Sequence, residues 1–285
     1  MAPSSTLRYG KQDSHTVTVF KKWLLKLRCL VLFIVGMGLF ALSLWLARNA
    51  TLEGLWFGLL GGLSIGPVTH YLLAKALIPL GFGRVWCGWA CWTAALLDQL
   101  PYRQSPYHLG VGWARLRYAV FFLSLGLVLL LWFGRGYRAG AVGQGAAYWF
   151  VAGNLLYWSV GVVLAIVLED NRAFCKYVCP NAVIFKETAR FSLLKVSGDA
   201  RACLECPSQA CLPVCPMDIR IPDYIKGGKR VLSTECIQCQ VCICTCPLNT
   251  LELSAGLDLG GKDLVQTREF VTGWRKWLRE HRKSR

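Results

Sequence analysis

Long apolar runs dominate the first 170 positions of the chain, and polar residues cluster between them. Segments 29–47, 54–74, 118–134 and 148–168 each lack Asp, Glu, Lys and Arg. A bilayer crossing takes about 20 predominantly apolar residues, so the pattern predicts four transmembrane helices, joined as two hairpins. Beyond residue 170 the apolar runs give way to Cys, Pro and Gly, which predicts a small second domain of loops, short helices and strands. The fold expected is an all-α polytopic membrane domain followed by a small α+β unit. The divisions read from these shifts are a leading segment 1–28, a membrane domain 29–171, a connector 172–200, a cysteine-rich domain 201–254 and a tail 255–285.

Charge sets the orientation. Arg8, Lys11, Lys21, Lys22, Lys26 and Arg28 precede the first run, and Arg84, Arg103, Arg115 and Arg117 lie between the second and third. The other connections hold only Arg48, Arg135 and Arg138. Positive residues favour the cytoplasmic side, so both termini are expected in the cytoplasm. The first run is longer than a signal-peptide core and is expected to stay. Composition agrees: 54% of residues are hydrophobic and 17% charged, against roughly 25% charged in soluble domains. The formal net charge of +16 then points to anionic lipid and cytoplasmic loops rather than nucleic acid.

The chain holds 14 Cys, and their spacing repeats. Arg84-Val85-Trp86-Cys87-Gly88-Trp89-Ala90-Cys91 follows the second run, and Arg172-Ala173-Phe174-Cys175-Lys176-Tyr177-Val178-Cys179 follows the fourth. Both read Arg-x-aromatic-Cys-x-aromatic-x-Cys. On a helix, residues four apart share a face, so each pair could ligate jointly or act as a dithiol, with the preceding Arg favouring thiolate. Cys87, Cys91, Cys175 and Cys179 could hold one cluster or metal between the hairpins, serve as catalytic redox thiols, or simply pack. A reducing cytosol disfavours disulfides.

The tail carries the most specific motif. Cys236, Cys239, Cys242 and Cys246 follow Cys-x2-Cys-x2-Cys-x3-Cys, with Pro247 after it. In this bacterial run three cysteines hold one 4Fe-4S cube and the fourth holds its neighbour. Cys203, Cys206, Cys211 and Cys215 repeat the run with a longer middle gap, followed by Pro216. Cross-pairing assigns Cys203, Cys206, Cys211 and Cys246 to one cluster, and Cys236, Cys239, Cys242 and Cys215 to the other. Zinc knuckles are the competing reading, but three cysteines crowd one loop, twice. Cys29 and Cys244 are left as packing residues. The spacer 217–234, with Pro222, Gly227, Gly228, Lys226, Lys229 and Arg230, reads as a surface connection. The basic tail, with Phe270, Trp274 and Trp277 at helical spacing, reads as an amphipathic helix.

These motifs together resemble the NapH-type ferredoxin-like membrane proteins, whose relatives include MauN, NosR and CcoG; the resemblance covers 30–253. It implies a two-cluster ferredoxin-like domain and an electron-transfer subunit that oxidises quinol from the membrane pool. Its electrons would go to an iron–sulfur or cytochrome partner. Trp92 stands where the family has proline after the first motif. The competing functions are a cupric-ion reductase using the four hairpin thiols, and a non-enzymatic anchor for a redox partner. For quinol chemistry the candidate proton acceptor is His70, the only histidine inside a predicted span, expected toward the cytoplasmic half. Trp86, Trp89 and Trp92 offer stacking surfaces. Asp98, Glu169 and Asp170 sit at span ends, where charge is ordinary. No Gly-rich dinucleotide fingerprint or haem-attachment motif occurs.

Overall fold

The computed structural model describes residues 14–62, 65–102, 109, 111–138 and 140–266. These residues are mostly helical. Three stretches are long and apolar enough to cross a membrane: Trp23–Trp45, Gly112–Gly134 and Gln144–Leu168, of 23, 23 and 25 residues. At a rise of 1.5 Å per residue each reaches about 35 Å, more than the ~30 Å hydrocarbon layer. The first is the apolar part of helix α1 (Ser14–Trp45). The second passes from a 3-10 turn (Val111–Arg115) through its main helix (Leu116–Leu129) into a π-helical turn (Leu130–Gly134). The third is one unbroken α-helix, Gln144–Leu168. Their outer surfaces expose large apolar side chains such as Phe122, Leu123 and Phe133, an arrangement suited to lipid.

The second predicted span is not a single helix. Helix α2 (Leu52–Leu60) ends at Gly61 and Gly62, Gly62 having φ 86°. Helicity then resumes as α3 (Ile65–His70), a π-helical turn (Tyr71–Leu77) and α4 (Ile78–Phe82) in direct succession. Two glycines, with a φ that L side chains avoid, break the run that apolarity alone made continuous. The 54–74 boundaries are therefore corrected to two elements. His70 moves with them: it lies five residues into the new helix at the end near Arg48, not in the far half.

The reversal after α1 is zipped to the turn before Gln144. Arg48 bridges Val142, Asn49 N donates to Ala141 O at 3.1 Å, and Gly143 N donates to Ala47 O at 2.9 Å. From there the chain turns inward. Thr51 packs by Gly153, and the Tyr157 hydroxyl donates to Glu53 Oε1 at 2.7 Å. Partners thus advance from residue 141 to residue 157, the midpoint of the last apolar helix. Residues 48–51 run inward as irregular backbone, and α2 leads back out, with Phe57 against Trp132, Tyr137 and Trp149.

The cysteine-rich part closes around a two-stranded antiparallel sheet, β1 (Leu194–Gly198) paired with β2 (Leu251–Ala255). Between the strands lie three short helices, α11 (Ala200–Glu205), α12 (Ile221–Lys226) and α13 (Val241–Thr245). Asp199 caps α11 by accepting from Arg201 N. The spacer 217–234 is corrected from surface connection to core: Met217, Ile219, Ile221, Tyr224, Ile225 and Val231 are all buried. Arg230 is likewise bound, to Asp258 and to the carbonyls of Leu193, Ser254 and Gly256. Residues 256–266 lie back along this module, where Val265 bridges Ile219. The proposed amphipathic helix falls beyond residue 266, and Arg8, Lys11 and Arg103 fall elsewhere, outside the described residues.

Candidate functional site

Each paired-cysteine motif begins with a buried arginine and a five-residue helix. Val85–Trp89 (α5) precedes Cys91, and Ala173–Tyr177 (α9) precedes Cys179. The backbone repeats too: Cys91 N donates to Trp86 O and Cys179 N to Phe174 O, both at 2.9 Å. The single-helix reading of Cys-x3-Cys is corrected, since the second cysteine lies past the helix end and precedes the next one, Trp92–Leu97 (α6) or Asn181–Ala189 (α10). That fold-back turns both sulfurs of a pair to one side.

The motifs do not stop at the span ends. A Cβ at Gly36, midway along the apolar part of α1, would stand 3.1 Å from Trp92 Cα and 3.2 Å from the Cys91 carbonyl carbon. Cys175 belongs to a buried cluster with Leu97 and Phe174, against which Tyr157, Val160 and Leu164 of the last apolar helix pack. Both pairs therefore dip into the apolar layer, because α5–α6 and α9 fold back between the long helices.

All four thiols meet at one cavity of about 640 Å3, lined by Cys87, Cys91, Cys175 and Cys179. Lys75, Arg84, Trp86, Trp92, Asn154 and Tyr157 complete much of its wall. Trp92 Nε1 donates to Asn154 Oδ1 at 2.6 Å, which gives the non-proline residue after the first motif a definite partner. His70 is not in the wall; it stacks behind it, 5.3 Å from Trp86 and 6.2 Å from Trp92. Trp89 faces the cysteine-rich module, its Nε1 donating to Gln238 O at 2.9 Å. Lys75, Glu53, Asn154 and Tyr157 were missed in the sequence reading. A lysine and a glutamate bordering apolar runs were their visible signals.

Two further cavities lie in the module. Cys215, Cys236, Cys239 and Cys242 line one of about 390 Å3; Cys203, Cys206, Cys211 and Cys246 line one of about 360 Å3. The structure thus brings together the two cross-paired sets. Four cysteines line each cavity, the donor set that a 4Fe-4S group takes. Burial pushes the Cys211 thiol up to about 11 and the Cys236 thiol up to about 12, each with help from neighbouring cysteines. Burial pushes Cys246 up as well, but the Thr250 hydroxyl and nearby backbone N–H groups outweigh it and hold that thiol below its usual value. Ile219 N also reaches Cys215 Sγ, at 3.4 Å. Hydrogen bonds to sulfur are among the terms that tune cluster potentials.

Module and membrane helices are joined by buried ion pairs. Glu235 accepts from Arg84 at 2.5 Å and from Arg117 at 2.8 Å, with Lys186 at 4.0 Å. Burial opposes its ionisation, yet these cations prevail and hold the carboxyl below the usual range. Asp98 joins Arg172 and Arg28 at 2.7 and 3.3 Å, while Lys176 bridges Asp170 and Asp218 at 2.7 and 2.5 Å. Asp98 and Asp170, set aside as ordinary span-end charges, are thus structural anchors. A Cβ at Gly88 would overlap the Ile237 carbonyl oxygen. Only glycine lets the loop of Cys236–Cys242 lie directly on the first hairpin motif.

The family model described as a 4Fe-4S binding domain matches residues 72–103 and 151–192, the two segments containing the paired cysteines. Ferredoxin-type protein NapH of Haemophilus influenzae is 26% identical, over 67% of this chain and 70% of that protein. Methylamine utilization ferredoxin-type protein MauN of Paracoccus denitrificans is 35% identical, over 30% of this chain and 31% of its own length. Putative electron transport protein YccM of Escherichia coli is 31% identical, over 34% and 26% respectively. No solved structure matches the chain. Apolar helices of membrane length, a 4Fe-4S binding domain and these relatives define an iron–sulfur electron-transfer protein of a membrane. Within that class the chain resembles the NapH-type ferredoxin-like proteins.

Proposed function

We propose that this protein oxidises quinol within the membrane and passes single electrons to a redox partner through three iron–sulfur sites. Cys87, Cys91, Cys175 and Cys179 would hold one 4Fe-4S cluster. Cys215, Cys236, Cys239 and Cys242 would hold the second, and Cys203, Cys206, Cys211 and Cys246 the third. When bound, such clusters supply one-electron steps between a two-electron donor and the partner. The helical run from Ile65 to Phe82 is the fourth crossing, with both termini and the module on the cytoplasmic side of an inner membrane, as the Lys and Arg distribution supports.

One observation carries the reading. Four thiols from two separate hairpins converge inside the apolar layer, and the loop of the second thiol set rests on the first motif at Gly88–Ile237. A lipid-dissolved donor can reach such a depth. A hydrated cupric ion has poor access there, since Cys87 and Cys175 are only 8% and 7% exposed, so burial favours quinol over copper reduction. Trp86 and Trp92 offer ring faces beside the thiols, and His70 behind them remains a candidate hydrogen-bond partner. The exposed loop around Leu204 and Cys206 is the exit suited to an iron–sulfur or cytochrome partner.

The test is anaerobic mixing of the purified full-length protein with a quinol analogue. Bleaching of the iron–sulfur absorbance on a catalytic timescale is expected. Clusters that stay oxidised with quinol but bleach with dithionite would contradict the proposal and leave the anchor role.

A further inference from the structure

The hairpin cavity is larger than its two counterparts, about 640 Å3 against about 390 and 360 Å3, although four cysteines wall each of them. Its additional walls include buried polar side chains among the aromatic ones: Thr51, Lys75 and Asn154 are 4%, 2% and 1% exposed. Polar side chains inside an apolar layer are expensive, and they mark ion and proton paths.

Their arrangement points away from the module. Tyr157, at the cavity wall, donates to Glu53 Oε1 at 2.7 Å. Glu53 is 8% exposed, and its second oxygen, Oε2, has no hydrogen-bond partner among the described residues. Thr51 N and Oγ1 donate to Asn49 Oδ1 at 3.1 and 2.6 Å, and Asn49 Nδ2 donates to Gly140 O at 3.1 Å, in the turn farthest from the module. Asn49, Thr51 and Glu53 thus lie between the turn near Arg48 and the thiol cavity. Besides Tyr157, the titratable groups facing Glu53 are Tyr71 and Lys75 of the π-helical turn, with Lys75 Nζ 3.8 Å above the Tyr71 ring.

We propose that Glu53 accepts the protons released when a quinol is oxidised at the hairpin cavity, receiving them through the Tyr157 hydroxyl and passing them to the membrane face opposite the module. The inference rests on the quinol reading. Oxidation breaks the two O–H bonds of the hydroquinone and forms two carbonyls, releasing two electrons and two protons. The electrons leave singly through the iron–sulfur chain to the partner. Each proton moves to the Tyr157 oxygen as that hydroxyl's own proton moves to Glu53. Electrons and protons depart toward opposite faces, so turnover separates charge across the membrane.

The test uses full-length protein in liposomes, a quinol analogue and a pH-sensitive dye on the face opposite the module. Glu53→Gln should slow quinol-driven bleaching at least tenfold and abolish proton release at that face. Iron content and dithionite reduction should stay unchanged, and Glu53→Asp should recover part of both losses. Should Gln lower the iron content, the Asp variant alone provides the comparison. Wild-type rate and proton release in the variant, or release on the module side in the wild type, would overturn the proposal. Failure of quinol to bleach the wild type would instead remove the quinol reading. Glu53 is then judged by reduced-minus-oxidised infrared spectra under dithionite: a carboxyl band lost in Glu53→Gln keeps it as the proton partner of the reduced chain, and its absence from the wild type overturns that role.

Discussion

The Arg172 guanidinium donates to the carbonyl oxygen of Cys87 at 3.0 Å, so the arginine of the second repeated motif holds the backbone of the first. Its repeat counterpart, Arg84, turns instead to Glu235 in the module. Equivalent residues thus take unequal partners, since the module meets the first motif through Glu235 and Ile237 and the second through Asp218 at Lys176. The asymmetry turns a duplicated hairpin into a connected path: membrane cavity, Gly88, module loop.

Removing Glu235 tests that connection. Glu235→Gln leaves Arg84 and Arg117 buried beside a neutral group, and breaking a buried pair in this way costs about 3–5 kcal/mol. Thermal unfolding in detergent should show a clear loss, with the module cleaved more readily by protease than in the wild type.

The same carboxyl predicts a pH dependence. Its folded-state pKa is held below the ordinary value, so its contribution is complete at pH values above the unfolded pKa, about 4.3 for Glu. The contribution falls as acid protonates the folded group. Wild-type stability should therefore drop on acidification below about pH 4.3, whereas the Glu235→Gln variant should lose less over that window.

Gly88→Ala should separate the module loop from the first motif. A Cβ there meets the Ile237 carbonyl, whereas Gly126 has nothing within 4 Å of its Cβ position. Stopped-flow bleaching by quinol should slow at least about tenfold, or about 1.4 kcal/mol of barrier, in Gly88→Ala and stay unchanged in Gly126→Ala. Equal rates would mean that electrons do not cross at this contact.

Oxidative loss should be ordered. The loop 204–208 beside Cys206 is largely exposed, while Cys87 and Cys175 are buried. Limited ferricyanide treatment should first remove the paramagnetic signal that Cys203→Ala also removes, and only later the signal sensitive to Cys175→Ala.

Much of this site was legible in the sequence because cysteine spacing is local. The eight module cysteines fall into the two cavities that cross-pairing assigned, and the four hairpin cysteines share a third. What stayed hidden depends on backbone reversals within apolar runs. Gly61 and Gly62 split one hydrophobic segment into a re-entrant helix and a separate helical run, which hydropathy averages over. His70 ends up stacked behind the cavity wall, while Lys75 lines it. Glu53 borders an apolar run, and the inward turn at 48–53 leaves no periodic signal that would single it out. The 217–234 spacer misled for a related reason: its glycines and basic residues hid the apolar positions that form the module core.

Iron and acid-labile sulfide, counted per chain in anaerobically purified protein, test the central claim most directly. Three four-cysteine sites predict about twelve of each, falling to about eight in Cys175→Ala. A wild-type count of about eight, unchanged by that substitution, would contradict a cluster in the membrane cavity.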